Sequence, residues 1–212
     1  PDLSSPQKTT LVGFINETRQ LIPFLTNENL METDTKIQIK EMTEEIRLLT
    51  SNFKKNDYPF ETDEQKNEWL PKLIEGKSIA SLAMTEPGAG SDLQAIKTTA
   101  KKDGNQYTLN GSKIFITNGG SADLIVVAAK TDQSGGAKGI SLVLLDTKNA
   151  EGFSRGKPLK KLGLKGNDTA ELFFDNVKIP LTNLIGNEEG QGFYQMMNQL
   201  PWERLLIGIT AL

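Results

Sequence analysis

The run Met84-Thr85-Glu86-Pro87-Gly88-Ala89-Gly90-Ser91-Asp92 comes just after Ile79, where this chain of 212 residues changes from helical spacing to strand spacing. Gly88 and Gly90 have no Cβ, so the backbone there can turn sharply and approach a ligand closely. Backbone N–H groups left free in such a loop can face a bound pyrophosphate. The hydroxyls of Thr85 and Ser91 add further donors. The alternative interpretation is a glycine-rich turn between two strands.

Short apolar segments around and after this run predict β-strands. Residues 106–117 contain Asn110-Gly111, and this pair predicts a two-residue hairpin turn because it accepts positive φ angles. The other predicted strands are 79–84, 124–129, 140–145 and 170–177. At least six short strands separated by turn signals indicate an antiparallel sandwich or barrel.

Helical spacing appears on both sides of these strands. Met42, Ile46, Leu49 and Phe53 form one apolar face, and 11–25 is a weaker candidate. A second helix is predicted from Thr62, because Gln65 three residues later completes a capping box, with Gly76 as its end and Pro71 bending or splitting it. From Gly190 an apolar helical face returns, which Pro201 is expected to interrupt. The chain stops within this pattern, which we interpret as truncation.

The predicted fold class is therefore α+β, in three regions. Residues 1–78 form a helical N-terminal region, and 79–188 form the β middle domain. Residues 189–212 form the first helix of a truncated C-terminal helical bundle.

Composition excludes several kinds of chemistry. The chain has no cysteine and no histidine, which excludes disulfides, thiolate metal sites, Ser-His-Asp triads and HExxH zinc sites. No metal is expected, and acid–base chemistry must use Asp, Glu, Lys or Tyr. A net charge of -3 lacks the basic surface that nucleic acid binding needs. No apolar run approaches the roughly 18 residues of a membrane span.

Several motifs in order resemble one family. Residues 64–76, 83–92, 109–113, 115–119 and 169–180 are similar to the middle domain of acyl-CoA dehydrogenases and the helix that precedes it. Residues 200–207, Leu-Pro-Trp-Glu-Arg-Leu-Leu-Ile, resemble the start of the C-terminal bundle in the long-chain branch. The resemblance covers roughly 150 residues, far more than a single motif. Residues 1–60 do not match the family.

The resemblance implies FAD as the cofactor. Its binding residues would be Leu82, Ala83, Met84, Thr85, Glu86, Pro87, Gly88, Ala89, Gly90, Ser91, Phe115, Ile116 and Thr117. The aromatic ring of Phe115 would cover one face of the isoalloxazine, and Thr117 would hydrogen-bond near flavin N5. Alternatively, Phe115 is an ordinary buried strand residue before an Asn-Gly-Gly turn.

The resemblance also implies the catalytic base. In the long-chain and isovaleryl-type branches the base lies on the helix that 200–212 resembles, and Glu203 matches its position. It would remove the α-proton of a thioester while the β-hydrogen leaves as hydride to FAD. The alternative is a solvated glutamate near a proline-marked helix start. The substrate-binding residues would be Ser91, Ala137, Lys138, Tyr194, Pro201, Trp202, Glu203 and Arg204. Each of three residues has an alternative interpretation. Tyr194 could be a core aromatic, Lys138 an exposed loop lysine, and Arg204 the partner of a carboxylate.

The leading hypothesis is FAD-dependent conversion of a long-chain acyl-CoA to trans-2-enoyl-CoA in fatty-acid β-oxidation. Electrons would pass to an electron-transferring flavoprotein, and the protein would be a homo-oligomer, as the full-length relatives are tetramers. It would lie in the mitochondrial matrix if eukaryotic and in the cytoplasm otherwise. The family's flavin-contacting arginine and glycine-rich stretch of the C-terminal bundle are missing. A truncated, non-catalytic binding or assembly module is therefore the alternative, and an acyl-CoA oxidase-like enzyme is a third.

Overall fold

The structure is a computed structural model that describes residues 62–186 and 188–210, without the side chains of Trp202, Leu206 and Thr210. The helices predicted in 11–25 and 42–53 lie outside the described residues. The described residues belong to two compact units, one with residues 66–77 and the other with residues 62–65, 78–186 and 188–210. Among the described residues, every helix is too short or too polar to cross a membrane.

The first described helix, α1, spans Asp63–Ile74. The predicted capping box is confirmed, because the Thr62 N–H donates to Gln65 Oε1 at 3.2 Å and the Gln65 N–H donates to Thr62 Oγ1 at 3.3 Å. Gly76 follows the helix with a φ of 69°, as a glycine after a helix end commonly does. Pro71 lies inside α1 without dividing it.

Seven strands form one mixed sheet. They are β1 (Ala80–Ala83), β2 (Thr99–Asp103), β3 (Gln106–Thr117), β4 (Leu124–Lys130), β5 (Ile140–Asp146), β6 (Phe153–Arg155) and β7 (Thr169–Pro180). The order is β1-β4-β2-β3-β7-β6, and β5 also pairs with β4. Most neighbours are antiparallel, but β1 and β2 both run parallel to β4. The predicted α+β class is confirmed. The sheet is mixed, because parallel neighbours need a long connection and the segment between β1 and β4, which contains β2 and β3, provides one.

The hydrophobic core is built mainly from side chains of β1, β2, β3, β4, β5 and β7. β4 and β5 are buried along nearly their whole length, which explains their continuous apolar sequence. β3 and β7 alternate between buried and exposed positions, as strands with one buried face do. Their fully buried side chains include Leu109, Leu172, Val177 and Ile179.

The predicted hairpin turn at Asn110-Gly111 is wrong. β3 continues through both residues, and the tight turn lies instead at Gly104 and Asn105, between β2 and β3. The register with β7 shifts at Gly111, where a Cβ would stand 2.7 Å from the Cα of Thr98. The glycine is needed for this close approach within a β-bulge.

The second described helix, α2, spans Gly192–Thr210 and packs on β5. Pro201 lies within it without dividing it, so the predicted interruption is wrong. Met196 in the first half is buried, whereas Leu205, Ile207 and Ile209 in the second half are exposed.

Candidate functional site

The glycine-rich segment leaves β1 and lies along the end of β3. The Ile114 N–H donates to the carbonyl of Thr85 at 2.9 Å. The Ser81 hydroxyl donates to the carbonyl of Thr117 at 2.6 Å. These bonds place residues 82–91 beside residues 115–117, the two segments that the sequence predicts to bind the cofactor.

The loop itself is closed by a reciprocal pair of bonds. Glu86 and Ala89 each donate a backbone N–H to the carbonyl of the other, both at 3.0 Å. Within 62–186 and 188–210, none of the backbone hydrogen bonds uses the N–H groups of Gly88, Gly90 or Ser91. All three residues are exposed, and a Cβ on either glycine would meet nothing within 4 Å. The loop therefore presents free donors beside open space, which suits a phosphate or a polar cofactor edge.

A buried ion pair connects the glycine-rich loop to β3. Lys113 Nζ lies 2.9 Å from Glu86 Oε1, with side chains 0% and 6% exposed. Lys113 also donates to the carbonyl of Met84 at 2.9 Å. The other donors to the Glu86 carboxylate are the backbone N–H groups of Lys97 at 2.6 Å and Thr98 at 3.0 Å. The side chain of Glu86 is thus used inside the protein, and only its backbone faces the loop.

The pair is ionised at neutral pH. Burial raises the pKa of Glu86, but the Lys113 ammonium and the hydrogen bonds from Thr98 and Lys97 outweigh it and hold the pKa below its usual value. Burial lowers the pKa of Lys113 to about 8, against the opposing attraction of Glu86. Both groups therefore keep their charges near pH 7 and attract each other in a poorly solvated site.

Lys113 is a residue that the sequence analysis missed. One signal was present, because the alternation that buries Tyr107 and Leu109 in β3 also places Lys113 on the inner side. A buried lysine needs a carboxylate partner, and Glu86 is the acidic residue of the adjacent motif.

Phe115 has an unusual backbone. Its φ is 61°, a region that bulky residues rarely occupy and that costs about 1–3 kcal/mol. The register between β3 and β7 shifts between Lys113 and Ile116, and the Phe115 side chain is 62% exposed. The alternative of an ordinary buried strand residue is therefore wrong. Ile116 is buried in the core and Thr117 is exposed, so Ile116 offers only its backbone.

The predicted substrate residues begin on the same loop and continue toward α2. After Ser91, the side chain of Gln94 lies close to Gly136: a Cβ added to that glycine would be 3.6 Å from Gln94 Oε1. The helical turn Gly136–Gly139 carries Ala137, half-buried, and Lys138, exposed. The carbonyl of Lys138 lies against Gly190, just before α2. Successive contacts thus connect the glycine-rich loop to the helix that carries the remaining predicted residues.

On α2, Tyr194 is 42% exposed, so the alternative of a core aromatic is wrong. Its ring meets that of Phe193 edge to face, with 5.8 Å between the centroids. Pro201 and Arg204 are exposed. Trp202 lies on the same helix, and its side chain is outside the described part.

Glu203 lies between solvent and the interior. Its side chain is half-buried, and burial raises the pKa of its carboxyl. Within the described ranges it forms neither a hydrogen bond nor an ion pair. A carboxylate with a raised pKa and no fixed partner has the properties of a group that can exchange a proton.

Comparison with known proteins identifies the family that this part of the chain resembles. Residues 81–177 match the model of the acyl-CoA dehydrogenase middle domain. The chain is 51% identical over 152 residues to the mitochondrial long-chain specific acyl-CoA dehydrogenase of Sus scrofa, covering 71% of this chain and 35% of that protein. The chain thus spans about a third of the length of that relative.

Solved structures show the same fold. The crystal structure of an acyl-CoA dehydrogenase from Geobacillus kaustophilus matches with a TM-score of 0.68 and 55% identity, over 71% of this chain and 40% of that one. A structure of PigA with FAD and proline matches with a TM-score of 0.65 and 37% identity, over 68% of this chain and 37% of that one. Together with the family model, these matches show that residues 81–177 form a middle domain of the acyl-CoA dehydrogenase family.

Proposed function

We propose that the chain acts in the FAD-dependent α,β-dehydrogenation of a long-chain acyl-CoA, giving the trans-2-enoyl-CoA in fatty-acid β-oxidation. The observation that carries this proposal is the pairing of two features. The loop 87–91 has unused N–H donors at Gly88, Gly90 and Ser91. The exposed Phe115, with its strained φ, directly follows Ile114, whose N–H is bonded to Thr85 just before the loop. Strain of this kind persists where the surrounding structure enforces it, and it concentrates at ligand sites.

The residues present fit FAD. The free donors of Gly88, Gly90 and Ser91 suit its pyrophosphate or the polar edge of its flavin. The ring of Phe115 is placed to cover an aromatic face and keep water from it. The exposed hydroxyl of Thr117 adds a donor. Bound in this site, FAD would supply the acceptor for the hydride that leaves the β-carbon of the substrate.

Glu203 is the proposed base. It removes the α-proton of the thioester. Burial raises the pKa of its carboxyl toward neutral pH, which makes the carboxylate a stronger base. Ser91, Ala137, Lys138, Tyr194, Pro201, Trp202 and Arg204 are the proposed substrate contacts. The successive contacts from the glycine-rich loop through Gly136–Gly139 to α2 support a single substrate path along this side of the sheet.

The identity to the Sus scrofa enzyme supports a long acyl chain as the substrate. We further propose an electron-transferring flavoprotein as electron acceptor, a homo-oligomeric state, and a domain division at 79–188. The compartment would be the mitochondrial matrix in a eukaryote and the cytoplasm in a bacterium.

Binding of FAD is tested by titrating the purified protein with FAD and following quenching of the flavin fluorescence. Thr117→Val removes a proposed donor, and Phe115→Ala removes the covering ring. Both should weaken binding, whereas Thr108→Val, on the same strand at the exposed pair with Lys178, should not. Equal affinity in all four proteins would contradict the proposed cofactor site.

The base is tested separately, with FAD-loaded protein. Glu203→Gln should retain FAD and lose exchange of the substrate's α-proton with deuterated solvent. Glu188→Gln is the control, because Glu188 is an exposed carboxylate outside α2. Exchange that survives in the Glu203 variant would remove Glu203 from the role. FAD binding with no reduction by acyl-CoA would favour the non-catalytic module, and peroxide formation with oxygen alone would favour an oxidase.

A further inference from the structure

The segment before α2 is attached to the sheet by hydrogen bonds that the proposed chemistry does not use. Tyr107 on β3 donates its hydroxyl to Glu189 Oε1 at 2.7 Å. The Gly190 N–H donates to Ser141 Oγ on β5 at 2.8 Å. That hydroxyl also lies 2.7 Å from Thr131 Oγ1. We call Tyr107, Ser141, Glu189 and Gly190 the α2 anchor.

Tyr107, Ser141 and Gly190 of the anchor are buried, whereas Glu189 is exposed and meets the buried Tyr107 hydroxyl from the surface. Tyr107 is 2% exposed and Ser141 is 1% exposed, so each hydroxyl needs a partner inside the protein. A bond from a buried hydroxyl to a carboxylate is among the stronger kinds. Burial, with the Glu189 carboxylate acting in the same direction, raises the pKa of Tyr107, which keeps the hydroxyl as a donor.

At two glycines, Gly190 and Gly192, the backbone packs too closely against its neighbours to accommodate a side chain. Gly190 has a φ of 82°, and a Cβ there would collide with the carbonyl of Lys138. A Cβ on Gly192, the first residue of α2, would stand 2.6 Å from the carbonyl carbon of Ser141. The backbone at the start of α2 is therefore in direct contact with β5 and Gly136–Gly139.

The direction of α2 at its first residue determines the position of Glu203, because both lie on the same helix. About eleven residues separate Gly192 from Glu203, which corresponds to about 17 Å along a helix. A tilt of about 5° at the start would move the carboxylate by about 1.5 Å, by the same geometry. A displacement near 1 Å can lower a reaction rate by about a hundredfold.

We propose that Tyr107, Glu189 and Ser141 are positioning residues that fix the direction of α2 and so hold Glu203 at its working depth. The proposal rests on the proposed role of Glu203 as the base. Glu189 is 82 residues from Tyr107 in the chain, so the bond ties β3, which ends at the proposed flavin site, to the helix that bears the base.

The test compares two adjacent carboxylates in FAD-loaded protein. Glu188 and Glu189 are both exposed, but only Glu189 accepts from Tyr107, and Glu188 forms no hydrogen bond or ion pair in the described ranges. Glu189→Ala therefore removes the acceptor of Tyr107, and Glu188→Ala is the matched control. Two experiments are made: steady-state kinetics, which gives kcat and KM for an acyl-CoA, and titration of the Glu203 carboxyl by carbon-13 NMR.

We expect Glu189→Ala to lower kcat about tenfold, less than a full 1 Å displacement would, because the bond from Gly190 to Ser141 Oγ remains. KM should change less than about twofold. The Glu203 titration should move toward that of an ordinary glutamate, because its raised pKa comes from burial. Glu188→Ala should leave kcat, KM and the Glu203 titration unchanged. Glu189→Gln should restore them, since its amide oxygen can accept the same bond. Tyr107→Phe, which removes the hydroxyl from the other side, should act like Glu189→Ala.

An unchanged Glu203 titration in both Glu189→Ala and Tyr107→Phe would overturn the proposal, whatever happens to kcat. An unchanged kcat in an active protein would also overturn it. If the unmodified protein does not reduce FAD, the proposed function fails, but the NMR titration still decides whether the anchor sets the burial of Glu203.

Discussion

Lys113→Met should destabilise the protein by about 3 kcal/mol, because breaking a buried ion pair leaves one uncompensated charge at a cost of about 3–5 kcal/mol. The lower end applies here, since Glu86 keeps its hydrogen bonds from the backbone of Lys97 and Thr98. Methionine fills a similar volume, so packing contributes little to the loss. The measurement is urea unfolding at pH 7, with the slope compared between variants to check that the unfolded state is unchanged.

Two further variants make this measurement decisive. Lys113→Met combined with Glu86→Gln removes both charges and should recover most of the lost free energy of unfolding. Lys178→Met breaks the pair with Asp103, at 3.2 Å and about half exposed on the lysine side, and should cost less than about 1 kcal/mol. A Lys113→Met protein that unfolds within about 0.5 kcal/mol of the unmodified one would refute the reasoning.

Three other outcomes follow from the structure. Gly111→Ala should destabilise by more than about 1 kcal/mol in urea unfolding, because its Cβ would stand 2.7 Å from the Cα of Thr98; an unaffected midpoint would argue against the close approach. Phe115→Gly should stabilise against urea by about 1 kcal/mol, since glycine tolerates positive φ, while weakening FAD binding in a fluorescence titration; better FAD binding would contradict the assigned role. The lowered pKa of Glu86 means that its contribution to stability is present above about pH 4.5 and is lost as pH falls below that value. The free energy of unfolding should therefore fall more steeply below pH 4.5 in the unmodified protein than in Glu86→Gln, and parallel curves would contradict the assigned pKa direction.

Local patterns predicted the elements whose burial is simple. β4 and β5 are continuous apolar runs, and both strands lie close to their predicted bounds. The capping box at Thr62 and Gln65 was readable because its two bonds join residues three apart.

Features that depend on distant strands were not readable from the sequence. Asn110-Gly111 carries the local signal of a turn, but contact with Thr98 makes it a bulge. The strained φ of Phe115 depends on the register with β7, which neighbouring residues do not determine. The bond between Tyr107 and Glu189 crosses 82 residues, and no local periodicity indicates it.

The candidate site divides in the same way. The resemblance of residues 83–92 and 115–119 to one family predicted which segments lie together, and the bonds from Ile114 to Thr85 and from Ser81 to Thr117 join them. The role of Lys113 beneath the loop emerged only from the structure, because a lysine in a strand is ordinarily exposed.

We propose above that this chain holds FAD and that an acyl-CoA reduces the bound flavin. The direct measurement is the absorbance spectrum of the FAD-loaded protein under anaerobic conditions, before and after addition of a long-chain acyl-CoA. We predict that the oxidised flavin band disappears with the unmodified protein and persists with Glu203→Gln, which should still bind FAD. A band that persists in the unmodified protein, or disappears equally in the Glu203 variant, would contradict the account.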